Sequence, residues 1–183
     1  MSKILIAIAL IFSFNIVNAQ TERGDWMVGG GLELNTSKNK TVFVFNPNIA
    51  WFIAKDFALG AQFSYSYLSL GDNRINTYGA GPFIRYYIPT KNVRPFLHGD
   101  VDFQTNKIKN NTITTTENAF SFYIAGGAAF FINESLAFES KIGYRYTDLK
   151  NQSGAGGVGL SLGFQVYINR RQAEAARSTI NGK

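Results

Sequence analysis

The sequence predicts an all-β protein, an eight-stranded antiparallel up-and-down transmembrane β-barrel. The first observation behind this is an alternation that runs through eight segments: 26–34, 43–53, 57–67, 78–88, 95–103, 120–132, 136–146 and 158–168. Counting every second residue from the first of each, all positions are apolar, aromatic, Gly or Pro, with Ser140 the one exception. The second observation is that every charge inside the segments falls on the opposite parity. Successive side chains of a strand point to opposite faces, so each segment is a strand with one apolar and one polar face. The third is bulk. The polar parity is rich in Gly29, Gly31, Gly60, Gly79, Gly81, Gly127, Gly143, Gly157, Gly159 and Gly163, and the apolar parity carries Phe43, Phe45, Trp51, Phe63, Phe120, Phe122, Phe130, Leu162 and Phe164. Small and charged residues suit a narrow lumen, and bulky apolar ones suit a wall bathed in lipid.

Taken in order, segment 26–34 turns Gly29, Gly31 and Glu33 inward, and segment 43–53 turns Asn46 and Asn48 inward. Segment 57–67 sets Gly60 and Gln62 against Phe63, Tyr65 and Tyr67. Segment 78–88 contributes Arg85 to the lumen. Segment 95–103 contributes His98, Asp100 and Asp102, flanked by Arg94 and Gln104 on the same parity. Segments 120–132 and 136–146 follow, the latter with Glu139, Lys141 and Arg145 inward; segment 158–168 turns Gln165 inward. Pro47 and Pro82 lie inside strands, where a missing N–H breaks the ladder, and are read as local bulges or kinks. Segments of nine to thirteen residues match the length a tilted strand needs to cross the hydrocarbon core.

The connections alternate in character. Those near Ala54-Lys55-Asp56, Pro89-Thr90-Lys91-Asn92 and Asn133-Glu134-Ser135 are short, whereas 35–40, 68–76, 104–118 and 147–156 are longer or more polar. Short turns on one rim and long loops on the other separate the periplasmic from the external side, which puts both termini in the periplasm. Aromatic residues gather near the strand ends: Trp26, Trp51, Phe57 and Tyr86 at the short-turn rim, and Tyr65, Tyr67, Tyr78, Phe103, Phe120, Tyr144 and Tyr146 at the other. Such rings favour the head-group boundary and form two girdles.

The N-terminus divides the chain into three parts. Lys3, the apolar run 4–12 and Val17-Asn18-Ala19 read as a secretory signal peptide over residues 1–19, cleaved before Gln20. The run is too short to span a bilayer as a helix. The barrel occupies 20–168 and a short polar periplasmic tail 169–183. There is no cysteine, which excludes a disulfide framework, thiol chemistry and lipoprotein processing. The net charge of +6 is spread over loops, lumen and tail, a pattern matched to an anionic head-group layer rather than to nucleic acid.

The last strand adds Ser161, Gly163, Val166 and Ile168, spaced like the terminal signal read by the outer-membrane assembly machinery, with Ile168 in place of the usual final aromatic. The stretch from Gly79 through Pro82-Phe83-Ile84-Arg85 to Ile88, followed by Arg94-Pro95-Phe96 and Asp100-Val101-Asp102-Phe103, is similar to a fourth-to-fifth-strand pattern of a known family. With it the whole mature chain resembles the small eight-stranded outer-membrane β-barrels, the opacity-protein and outer-membrane-protein-A/X-like porin family. The Asn18-Ala19-Gln20 signal end resembles that of Bacteroidetes exported proteins. The resemblance implies an outer-membrane location, contact with lipid and lipopolysaccharide, delivery by periplasmic chaperones and the assembly machinery, and a monomer.

Lumen chemistry is expected to be structural. Glu33, Asp100, Asp102 and Glu139 balance Arg85, Arg94, Lys141 and Arg145, and unpaired charge in a narrow lumen is costly, so the set is read as a network plugging the barrel. In it Glu139, Lys141 and Arg145 are expected to meet Asp100, Asp102 and Arg85. Residues two apart on one strand face lie about 7 Å apart, so His98, Asp100 and Asp102 are not read as a metal site. Asp100 and Asp102 lack a second motif for acid–base work. The lipid A deacylases of this fold use a Ser-His-Glu arrangement, and no Ser stands two residues after His98. Gly154-Ala155-Gly156-Gly157-Val158-Gly159 precedes a strand rather than a helix and has no helix N-terminus for a phosphate. No catalytic residue, cofactor or metal is assigned. The expected role is a structural barrel that presents loops; the alternatives are a narrow pore for water, ions or small solutes, a loop-mediated adhesin, and lastly a lipid-modifying enzyme.

Overall fold

The computed structural model describes residues 21–37, 40–71, 73–90, 93–110, 113–149 and 152–169. The leader 1–19 and positions 170–183 of the tail lie outside the described residues. Eight strands follow one another: β1 (Trp26–Ser37), β2 (Lys40–Ala54), β3 (Phe57–Leu70), β4 (Asn73–Tyr87), β5 (Val93–Asn110), β6 (Ile113–Phe131), β7 (Leu136–Leu149) and β8 (Gln152–Ile168). Each pairs antiparallel with its neighbour in sequence, and β8 returns to β1 to close the barrel.

The polarity inversion read from the sequence is what the fold displays. Ile124, Leu160, Leu32 and Phe103 on the apolar parity are 64–66 % exposed, whereas Arg85, Asp102 and Glu139 on the other are buried to 5 % or less. Closure into a barrel leaves the apolar face no partner within the chain, and lipid takes that place.

The strand ends on the short-turn side agree with the sequence reading. On the other side every strand runs further than the alternation. The stretch 104–118, read as the longest loop, is strand almost throughout, with β5 and β6 paired from Gln104↔Ala119 to Asn110↔Ile113. Beyond the hydrocarbon both faces meet water, so the period-two signal disappears although the ladder continues. The outward parity of β5 marks the boundary: Phe103 is followed by exposed Lys107 and Lys109.

Neither proline forms a bulge. Pro47 pairs with Gly30 and the β2–β3 register is the same before and after it, at Phe45↔Tyr65 and Asn48↔Gln62. Pro82 pairs with Ala61, and β4–β5 resumes in unchanged register at Phe83↔Asp100. Each leaves only a gap in one ladder where its N–H is missing. The register shifts fall elsewhere, between Phe52 and Ala54 and between Thr147 and Leu149. A Cβ on Gly30 would stand 2.4 Å from the Asn46 carbonyl oxygen, so the close approach of β1 to Pro47 requires glycine there.

The rim that carries both termini is tightly bonded. Residues 21–25 fold across it: the Asp56 N–H donates to the Thr21 carbonyl (2.9 Å) and the Phe52 N–H to that of Asp25 (2.9 Å). In the β6–β7 turn the Asn133 side chain accepts from the N–H groups of Ser135 and Leu136 at 2.9 and 2.8 Å.

Candidate functional site in the barrel lumen

The alternation carries Arg85 of β4 and Glu139 of β7 to the same depth from opposite walls. Arg85 Nη1 donates to Glu139 Oε2 at 2.8 Å and to Oε1 at 3.1 Å. The carboxylate also accepts from Tyr167 (2.8 Å) and Tyr87 (3.2 Å), and those two hydroxyls lie 2.8 Å apart. The guanidinium sits 4.5 Å from the Phe96 ring centroid. A buried ion pair holds when further hydrogen bonds offset the desolvation of its members, and the two tyrosine hydroxyls do so for this carboxylate.

Beside it, Asp100 accepts from Arg145 Nη1 at 3.1 Å and meets His98 Nε2 at 3.0 Å. Arg85 Nε lies 3.4 Å from His98 Nδ1, so the imidazole links the two ion pairs. Arg145 also stacks on Tyr123, 4.5 Å from its centroid. Three of the expected partners thus depart from the reading above. Asp102 takes no base among the described residues: its Oδ2 accepts from Ser64 (2.8 Å) and Gln104 (2.9 Å). Lys141 lies over Tyr123, 5.3 Å from the centroid, and makes no ion pair among the described residues. Arg94 stands apart at the terminal rim, 3.0 Å from Asp56 and bonded to Thr21. The Glu33 side chain lies outside the described residues.

Between this layer and the terminal rim the lumen holds Met27, Phe52, Tyr87, Phe96, Phe131 and Tyr167, each no more than 4 % exposed, and Phe83 lies within the layer itself, 5.2 Å from the His98 ring. Sequence reasoning passed over these. They stand on the polar parity, close to the short turns, and that position was the available signal. On the other side of the layer the lumen is hollow, with a cavity of about 540 Å³ whose walls include Asn48, Gln62, Ser64, Asp102, Lys141 and Gly157.

The aromatic set is arranged around the wall. Trp26 and Trp51 stack at 6.4 Å near the terminal rim, where Tyr86 is also exposed and Phe57 pairs across to it. Towards the hairpin rim Tyr65 lies 5.2 Å from Tyr78, Phe103 5.4 Å from Phe120 and Tyr146 5.5 Å from Phe122. Tyr144 is exposed and Tyr67 half-buried on the same outward parity. In β8, Val166 and Ile168 face outward against Val28 and Trp26, Gly163 pairs with Gly31, and Ser161 pairs with Lys141 of β7.

An inverted barrel with a polar lumen defines a class, the bacterial outer-membrane β-barrels. Residues 4–167 match the model of the outer membrane protein β-barrel domain, and the chain belongs to that family. No curated protein matches it in sequence. Among solved structures it is similar to Neisserial surface protein A (14 % identity, 78 % of this chain and 94 % of that one, TM-score 0.57). It is similar to the N-terminal β-barrel domain of Pseudomonas aeruginosa OprF (14 %, 80 % and 98 %, TM-score 0.56). It also resembles Ail, the attachment invasion locus protein of Yersinia pestis (13 %, 80 % and 99 %, TM-score 0.52). At these identities the likeness is one of fold.

Proposed function

We propose that the protein is a non-enzymatic, monomeric barrel whose lumen is closed, which stabilises the outer membrane and presents its hairpins outside the cell, with both termini in the periplasm. The observation that carries this is the Arg85–Glu139 pair lying directly against the aromatic cluster, so that an ionic layer and an apolar layer occupy one half of the lumen in series. An eight-stranded lumen is about as wide as its own side chains, and a solute would have to displace both layers. Single-channel recording on refolded protein in a planar bilayer tests it: the closed barrel gives no steady open level. Sustained conductance in the unmodified protein overturns the reading and favours a narrow pore.

A second role, contact by the hairpins, is supported by the projection of β5 and β6 past the Phe103–Phe120 pair with Lys107 and Lys109 on its outward face. Deleting residues 106–116 then removes binding to cells or matrix and leaves the folded barrel intact. A deletion that leaves adherence unchanged refutes it.

A further inference from the structure

The seam that closes the barrel is incomplete. β1 and β8 pair from Trp26↔Ile168 to Gly31↔Gly163, and no pairing between them follows among the described residues, although β1 continues to Ser37 and β8 begins at Gln152. Within this stretch β8 borders the cavity with both of its parities. Gly157 and Gly159 line it, and so do Val158, Leu160 and Leu162, whose side chains are 73, 66 and 51 % exposed. Along this stretch β8 has a ladder partner only in β7 among the described residues, so it forms the edge of an opening. The lumen therefore communicates sideways with the hydrocarbon as well as upward.

Three acceptors in the cavity wall are left without donors. Among the described residues Asn48 Oδ1, Asp102 Oδ1 and Gln165 Oε1 are buried with no hydrogen-bond partner, and all three residues line the cavity. Asp102 is 1 % exposed, and no base is paired with it among the described residues. Lys141, on the same wall system, is a cation without an ion pair among the described residues. Buried acceptors without donors point to a ligand that supplies them. Space is also reserved: a Cβ on Gly157 or Gly159 would meet nothing within 4 Å. The volume of about 540 Å³ is that of an ordinary small-molecule site.

We propose that this cavity binds a single-chain amphiphile from the membrane, its ammonium-phosphate headgroup inside the lumen and its acyl chain leaving between β1 and β8. The ammonium N–H groups serve Asp102, the phosphate serves Lys141, and the chain lies along Val158, Leu160 and Leu162. The proposal does not depend on whether the floor below conducts.

The test uses the full barrel in phosphatidylcholine nanodiscs, titrated with lysophosphatidylethanolamine and lysophosphatidylcholine of the same acyl chain and followed by the amide resonances of Gly157 and Gly159. The two lipids share the chain and the phosphate, and the second carries three N-methyl groups where the first has three N–H donors. Lysophosphatidylethanolamine is expected to saturate one site about tenfold more tightly, as loss of a hydrogen bond to a charged group predicts. Asp102→Asn should abolish that preference, and Gly159→Phe should fill the space and abolish binding while heat-modifiable gel migration stays normal. Phosphoethanolamine without a chain should bind at least about tenfold more weakly, since burial of several methylenes is lost. Equal affinity for the two lysolipids, or undiminished binding by Gly159→Phe, overturns the proposal. A tailless headgroup that binds as well as the lysolipid overturns the lateral route.

Discussion

Arg85 and Glu139, 54 residues apart, meet at 2.8 Å across the lumen with side chains only 2 % and 6 % exposed. Removing one member leaves the other charge buried and unmatched, which costs about 3–5 kcal/mol. Glu139→Leu is therefore expected to lower stability by that amount in urea unfolding of the lipid-inserted barrel. The double variant Arg85→Leu/Glu139→Leu should recover much of the loss. A double variant no better than the single one would show that Tyr87 and Tyr167, rather than the pair, set the stability of this layer.

At the terminal rim Asp56 combines two roles. Its φ of 59° is left-handed, and its carboxylate accepts from Arg94 (3.0 Å) and from Thr21. Asn tolerates that conformation and Ala does not, at a difference of about 1 kcal/mol or more. Asp56→Asn should cost about 1–3 kcal/mol through the lost charge-assisted bond, and Asp56→Ala measurably more. Equal losses in equilibrium unfolding would show that backbone strain plays no part at this turn.

Glycine in the lumen falls into two groups. A Cβ on Gly81 would lie 1.8 Å from the Val101 carbonyl oxygen, a contact that only backbone movement can relieve, while Gly157 faces open space. Gly81→Ala is expected to reduce refolding yield severely, read as loss of the heat-modifiable band. Gly157→Ala should refold like the unmodified protein.

The chain has two tryptophans, and they stack at 6.4 Å with 42 % and 45 % exposure to the lipid side. Their emission should be quenched strongly by phospholipids brominated near the headgroup and weakly by those brominated at the chain end, because amphipathic rings favour the interface. Deep bromines that quench more effectively would displace Trp26 and Trp51 from the girdle.

The sequence was informative wherever lipid on one side and lumen on the other impose opposite demands on neighbouring residues. The strands, their faces and the short-turn ends were therefore legible, as at Phe57, Leu136 and Ile168. Past Phe103 and before Phe120 water lies on both sides, and the paired stretch there was unreadable. Parity assigns a face but neither a height nor a position around the barrel. That is why the groups expected to meet could be named, Glu139 and Arg85 among them, but not the depth at which they do. The same limit explains why Asp102 bonds to Ser64 and Gln104, and Arg94 to Asp56. The aromatic filling of the terminal half was overlooked because Phe52, Phe83, Tyr87, Phe96, Phe131 and Tyr167 share their parity with charges and glycines. Charge and glycine dominated the reading of that parity.

From Gln104↔Ala119 to Asn110↔Ile113 the β5–β6 ladder has no break. Seven residues at strand rise reach about 20 Å along the strand axis. What stands above the lipid there is a stiff mast instead of a slack tether. A ladder of that length holds its outer end at a set distance from the barrel and leaves it little ordering entropy to lose on contact.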